Sequence, residues 1–215
     1  MDQIVNAGST KTRGINRRAR KREEARLGIL GAASQVFGER GFAGAGMREI
    51  AAAADLSPAN LYHYFRSKDE ILYFCQDRTL DRVLSAIELA RKTRGPVAER
   101  MHALAMTHVL CLIEGVEGTA AHFEVDPVTP GLREAITAKR DLYKRGVSAL
   151  IALGIRRGEF RRCNTTFAMR GFLGALNWTP HWYKPEGPHS AQEIARHIAD
   201  YAVAGLLNRA IKNGG

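Results

Sequence analysis

Between residues 46 and 65 the chain carries two runs of helical spacing that are each too short to stand alone. Met47, Ile50, Ala51 and Ala54 recur at i, i+3, i+4 and i+7, which predicts a helix of about two turns, opened by Gly46 and ending near Asp55. The next helix begins at Ser57-Pro58, where Ser can cap and Pro takes the first helical position with no N–H to waste. Helices this short are marginal in water, so both must be held by packing on a third. The preceding segment supplies it: Ile29, Ala33, Val36 and Phe37 share one face of a helix from Glu23 to about Arg40, and Gly41 offers a left-handed stop. The spacing therefore predicts a helix-turn-helix, with Ala51 and Ala54 allowing close approach and Leu56, Leu61 and Phe65 locking the second helix of the motif against the first.

The rest of the chain is helical by the same criteria. Ser67-Lys68-Asp69-Glu70 is an S-x-x-E capping box that opens a helix running to about Arg94, before Gly95-Pro96. Further helices are predicted over about Val97 to Glu114, Pro130 to Arg157, Thr165 to Trp182 and Ala191 to Lys212. Ser190-Ala191-Gln192-Glu193 is a second capping box, and no segment alternates as a half-buried strand does. The expected fold class is all-α with about nine helices. The expected organisation is a basic flexible arm at 1–22, a helix-turn-helix domain at 23–83 with its motif at 46–65, and a ligand-binding and dimerisation bundle at 84–215.

Of 215 residues, 45% are hydrophobic and 25% charged, which argues against a disordered or collagen-like chain. The three cysteines, Cys75, Cys111 and Cys163, lie far apart with no C-x-x-C pair, so neither a disulfide framework nor a thiolate zinc site is expected and a reducing cytoplasm fits. No apolar stretch approaches a signal-peptide core at the start or a membrane span anywhere. The net charge of +10 is uneven: residues 1–22 hold Lys11, Arg13, Arg17, Arg18, Arg20, Lys21 and Arg22 against Asp2 alone. Such an arm is either a solubilising tail or a segment that reaches a polyanion, and a short basic arm ahead of a folded domain is how proteins enter a DNA groove.

On the outer face of the motif, Ala59, Asn60 and His63 can meet base edges, and Tyr62, Tyr64 and Lys68 can meet phosphates. The cluster Tyr62-His63-Tyr64-Phe65 reads equally as core. Here the sequence resembles the TetR family of bacterial one-component repressors, through AASQVFGERGF (Ala32 to Phe42), MREIAAAADLSPANLYHYF (Met47 to Phe65) and SKDEIL (Ser67 to Leu72). The resemblance implies a homodimer on a double-stranded, palindromic DNA operator, with the motif's second helix from each subunit in the major groove. The candidate DNA-binding residues are Arg17, Arg18, Arg20, Met47, Ser57, Pro58, Ala59, Asn60, Tyr62, His63, Tyr64 and Lys68. Some positions depart from the family pattern. Gly46-Met47 stands where a hydroxyl residue is usual, leaving a backbone N–H or nothing for that phosphate, and Asp55 replaces the usual turn glycine.

In the second half, Met101, Leu104, His108, Leu112, Phe123, Tyr143, Arg170, Asn177, Trp178 and Trp182 are the candidate ligand-binding residues, although most apolar ones read equally as plain core. The segment Leu176 to Ala195 resembles TetR-family regulators of lipid, steroid and aromatic-acid breakdown, many of which respond to acyl-CoA thioesters; a small hydrophobic effector of that kind is implied, with Trp178, Trp182 and Tyr183 near the pocket mouth. Ile194, Ile198, Tyr201, Ala202, Gly205 and Leu206 form a stripe on the last helix that suits either core burial or helix pairing, and the family likeness favours a dimer through the last two long helices.

No catalytic motif or dinucleotide fingerprint occurs, so no enzyme activity and no cofactor are expected. His122, Glu124 and Asp126 alternate as metal ligands can, but beside Pro127 they read as solvated loop, and no metal is expected. The rival reading is a non-specific nucleic-acid-binding protein. If the arm contacts phosphates, deleting residues 1–22 weakens DNA binding and flattens its dependence on salt; an unchanged slope of log affinity against log salt in the truncated protein would refute that role.

Overall fold

The computed structural model describes residues 7–114 and 129–208, with side chains from Arg17 onward. Eight α-helices follow in order among them: α1 (Ala7–Gly44), α2 (Met47–Ala53), α3 (Pro58–Tyr62), α4 (Lys68–Lys92), α5 (Val97–Ile113), α6 (Pro130–Arg156), α7 (Thr165–Asn177) and α8 (Ala191–Ala204). A single 3-10 turn, Thr179–His181, follows α7. The all-α expectation holds among the described residues, where the nearest thing to a strand is an isolated antiparallel bridge between Phe160 and Leu207.

Two apolar cores organise these helices. Ile29, Leu30, Ala33, Val36, Phe37, Phe42, Ile50, Leu61, Phe65, Ile71, Leu72 and Cys75 form the first, so α1 to α3 and the start of α4 make one head. The second begins at Leu80 on α4 and takes in the inner faces of α5 to α8. Asp55 has φ 53°, and Leu56 N–H and Asp55 N–H donate back to the carbonyls of Ala51 and Ala52 at 2.9 and 3.2 Å. This is a Schellman ending with Asp in the left-handed position, and it turns the chain from α2 into α3 within a few residues. Ser57 Oγ accepts from Asn60 N–H at 3.2 Å and caps α3. Ser67 caps α4 in the same way, but Glu70 accepts from Arg66 N–H rather than Ser67 N–H, so the reciprocal half of that box slips by one residue. At Ser190 both halves of the box form.

Three expectations are corrected. The basic segment is not a flexible arm over residues 7–22: it continues α1 without a break, because Ala7 to Arg22 contains no proline and α1 has no non-helical residue before Gly41 (φ 67°). The last helix stops at Ala204 rather than Lys212. Arg161 N–H takes the Leu206 carbonyl at 2.9 Å and Asn208 N–H takes the Glu159 carbonyl at 3.0 Å, pulling the chain out of helix and back over the end of α6. The helix from Thr165 yields at Asn177 to the 3-10 turn, where Pro180 removes a donor.

Gly158 (φ 73°) ends α6 with the same Schellman geometry, and the turn lays the buried Phe160 ring across Gly154. A Cβ at Gly154 would fall among the ring atoms of Phe160. Gly154→Ala is therefore expected to lower the free energy of unfolding by about 1–3 kcal/mol through overpacking, read from urea denaturation; Gly38→Ala, exposed on α1 and meeting open space, serves as the comparison that loses nothing.

Candidate nucleic-acid interface and effector cavity

The head leaves α3 outward. Ser57, Pro58, Ala59, Asn60, Tyr62 and His63 are exposed, while Leu61 and Phe65 on the opposite side are fully buried. A helix anchored on one face with a free amide and a free imidazole on the other is suited to a major groove. Met47 and Tyr64, also candidates, are half-buried and pack against the head core, so each offers only part of its surface.

Lys68 does not reach outward. Its Nζ donates to the carbonyls of Phe42 at 2.7 Å, Ala43 at 3.4 Å and Ala45 at 3.0 Å, and lies 4.6 Å from the centre of the Phe42 ring. An ammonium has three protons, and here they satisfy carbonyls left over where α1 ends, which fixes the entry to α2. The cations exposed around α3 are instead Arg48 and Arg66, which with Tyr62 and Lys68 line an open groove. Neither periodicity nor motif spacing singles these two out; their only signal is their position one residue after Met47 and one after Phe65. Arg17, Arg18 and Arg20 are exposed on α1 ahead of Glu23, which pairs with Arg78 of α4 at 2.8 Å. Arg26, one turn on, lies over the Phe74 ring at 3.9 Å and the Phe65 ring at 4.6 Å, so α1 is bolted to α4 at the foot of its basic turns.

In the bundle, a cavity of about 290 Å³ lies between α4, α5, α6 and α7. Of the ligand candidates it brings together His108, Leu112, Tyr143 and Asn177, and it adds Thr79, Leu80, Val83, Arg140, Lys144 and Leu173. Tyr143 Oη and His108 Nδ1 are 2.8 Å apart, and His108 Nε2 and Asn177 Oδ1 are 2.9 Å apart. Since the Asn oxygen can only accept, His108 donates from Nε2 and Nδ1 accepts the Tyr143 hydroxyl proton. Burial lowers the His108 pKa to about 4, the bond to Asn177 opposing it, so the imidazole is neutral at physiological pH. Burial likewise raises the Tyr143 phenol and lowers the Arg140 guanidinium from their ordinary values.

The other candidates lie elsewhere. Met101 is fully buried core, and Leu104 lines a separate cavity of about 150 Å³ between α4 and α5. Arg170 is exposed on α7. Trp178 is 62% exposed and stacked on His181 at 4.0 Å, and Trp182 is also exposed, because the inward face of α7 is Met169, Phe172, Leu173 and Leu176 and Trp178 continues the outward one. Phe123, His122, Glu124 and Asp126 lie outside the described residues. Among the described residues no cluster of three metal-ligating side chains occurs, and no helix is long and apolar enough to cross a membrane.

A head that presents a capped reading helix, joined by one helix to a bundle with its own cavity, defines a helix-turn-helix DNA-binding transcriptional regulator. Residues 29–73 match the model for bacterial regulatory proteins of the tetR family, and residues 94–206 match the tetracyclin repressor-like C-terminal domain. The chain belongs to the tetR family. It is 35% identical to the transcriptional activator FasR of Mycolicibacterium smegmatis over 124 residues, 57% of each chain. It is 25% identical to the transcriptional repressor KstR2 of Mycobacterium tuberculosis over 191 residues, 85% of this chain and 93% of that one. Among solved structures, the TetR family regulator PfmR from Thermus thermophilus superposes with a TM-score of 0.74 at 30% identity, covering 84% of this chain and 99% of that one. AibR, solved with isovaleryl coenzyme A and operator DNA, gives 0.68 at 26% identity, covering 85% and 98%.

The buried neutral histidine has a measurable consequence. The unfolded chain binds a proton at His108 below about pH 6.5, whereas the folded protein resists doing so until about pH 4. Stability therefore falls as pH drops through that window, with His108 contributing about 3 kcal/mol of the loss. Denaturant unfolding between pH 7 and 4 should show His108→Gln losing less stability than the parent; parallel curves would refute the assignment.

Proposed function

We propose that the protein is a homodimeric regulator, a repressor by family habit, that α3 of each subunit seats on a palindromic operator and that an apolar effector in the α4–α7 cavity releases. The observation that carries the reading is α4: it supplies Ile71, Leu72 and Cys75 to the head core and Thr79, Leu80 and Val83 to the cavity wall. An effector that prefers one tilt of α4 thereby changes the spacing of two reading heads. α6 is the second coupling element. Leu132 packs on the head core, Lys139 pairs with Asp77 and Asp81 of α4 at 2.5 and 2.6 Å, and the next residue, Arg140, lines the cavity.

Acyl-CoA esters are the first effector class to try. The resemblance around Leu176 to Ala195 favours them, and AibR, similar over 85% of this chain, was solved with such an ester. The exposed α1 arginines are proposed to lie along operator phosphates, as a helix rather than a strand in the minor groove.

The dimer is proposed to form through α7 and α8. Phe167, Gly171, Gly174 and Trp178 follow one outward stripe of α7, with Phe167 70% exposed, and Tyr201 on α8 is 76% exposed. A groove of about 810 Å³ runs between the two helices, lined by Phe167, Gly171, Ala175, Tyr201 and Gly205. The alanines of α8, Ala191, Ala195, Ala199 and Ala202, are spent inside the subunit, which leaves this face for a second copy.

The test is a gel shift on the DNA flanking the protein's own gene with excess competitor DNA, repeated with acyl-CoA esters. A specific shift released by one ester supports the reading, and binding that competitor removes refutes it. Tyr201→Glu is expected to sediment as a monomer and to bind operator about a hundred-fold more weakly, since the second head no longer adds its contacts.

A further inference from the structure

A hydrogen-bond relay sets the polar end of the cavity. Tyr143 donates to His108 and His108 donates to Asn177 Oδ1, so the relay holds the Asn177 amide with its oxygen occupied and its NH2 left to donate. Thr79, 3% exposed, lines the same cavity, and its hydroxyl has no partner among the described residues. Arg140 and Lys144 stand at the rim, Lys144 paired with Asp141 at 3.1 Å, and no carboxylate is among the lining residues themselves. The remaining wall is Leu80, Val83, Leu112 and Leu173.

We propose that this cavity selects an apolar acyl group headed by an acceptor oxygen, a carbonyl or carboxylate, over a cationic head, with Asn177 as the specificity-determining residue and Tyr143 and His108 as its positioning residues. The inference rests on reading the cavity as the effector site. Its size sets the acyl length: 290 Å³ equals about ten water-sized volumes and sits at the small end of ligand sites, so a chain or ring system of about eight to ten carbons fills it. A larger anionic carrier on the acyl group has to remain outside, where Arg140 and Lys144 stand. An ammonium head would meet the Asn177 NH2 and the basic rim, with the Thr79 hydroxyl as its one acceptor, whereas an acceptor oxygen can take a proton from both Asn177 and Thr79. A buried unpaired donor is costly, so a ligand without an acceptor oxygen also loses affinity.

The shared chemistry has two sources, a free carboxylate and a thioester of an anionic carrier, and calorimetry of the full chain without DNA separates them. The probes are octanoate, octanoyl-coenzyme A, octylamine and coenzyme A alone. One or both octanoyl compounds should bind at least about ten-fold more tightly than octylamine and coenzyme A. Preference for the thioester places carrier phosphates on the rim; preference for octanoate places the carboxylate inside; either supports the proposal.

Asn177→Asp, of equal size with acceptors in place of the NH2, should weaken the preferred octanoyl compound at least about ten-fold. Tyr143→Phe should shrink the ratio of octanoyl to octylamine affinity, a readout that loss of packing alone does not move. Asn177→Leu checks that any loss follows the donor and not the fold, which thermal unfolding of each variant monitors. Equal binding of octylamine, indifference of Asn177→Asp, or no binding of any probe at millimolar concentration overturns the proposal. Binding with the expected selectivity that fails to release operator DNA leaves it standing and removes instead the reading of the cavity as an effector site.

Discussion

The structure depends on a constraint that α4 imposes: one unbroken helix must satisfy two separate cores. At about 1.5 Å per residue its 25 residues span about 37 Å, with Ile71, Leu72 and Cys75 in the head and Leu80, Val83, Ile87 and Ala90 in the bundle. Both ends are fixed. Ser67 caps it, Lys68 ties its first turn to the carbonyls that end α1, and Arg100 Nε reaches the Ala90 carbonyl near its last turn. Because packed interiors deform little, a displacement at Thr79 or Val83 is carried along the rod and is not absorbed within either core.

Local signals made most of this legible. Caps are short-range chemistry, so Ser57, Asn164 and Ser190 announce α3, α7 and α8 from sequence, and each accepts the N–H bonds expected of it. The buried face of the head, from Ile29 to Phe65, follows from spacing alone. Misread positions are those where a long-range partner decides. Lys68 looks like a phosphate ligand until the Phe42 to Ala45 carbonyls are seen beneath it, and the end of α8 is set by Glu159 and Arg161, some 45 residues away. The basic segment reads as an arm because charge and glycine suggest solvent, yet nothing in Ala7–Arg22 forbids continuing a helix already nucleated.

The cavity shows the same division. His108, Leu112, Tyr143 and Asn177 were legible as a polar group set among apolar neighbours on helices. Thr79, Arg140 and Lys144 were not, because α4 and α6 each present several faces to the chain around them and periodicity does not say which face meets a void. The outward turn of Trp178 and Trp182 has a related cause. Aromatic bulk predicts burial, but the α7 face that carries Phe167, Gly171, Gly174 and Trp178 is unpaired within one subunit, and it is the face on which we propose the second copy to pack.

Release of DNA then becomes a question of differential affinity. To move a two-state regulator from mostly bound to mostly free, an effector must prefer one state by about 10⁴-fold, or about 5.5 kcal/mol. Apolar contact with Leu80, Val83, Leu112 and Leu173 contributes to both states unless α4 and α6 change their spacing, so the lever has to be the α4–α6 contact. Lys139 sets its resting position, and its side chain and those of Asp77 and Asp81 remain partly exposed, so each pair contributes about 1 kcal/mol or less. A clamp that weak biases the spacing without locking it. It also sits one residue from Arg140, so under the proposed reading an anion drawn to the rim would act on the segment of α6 that holds α4 in register.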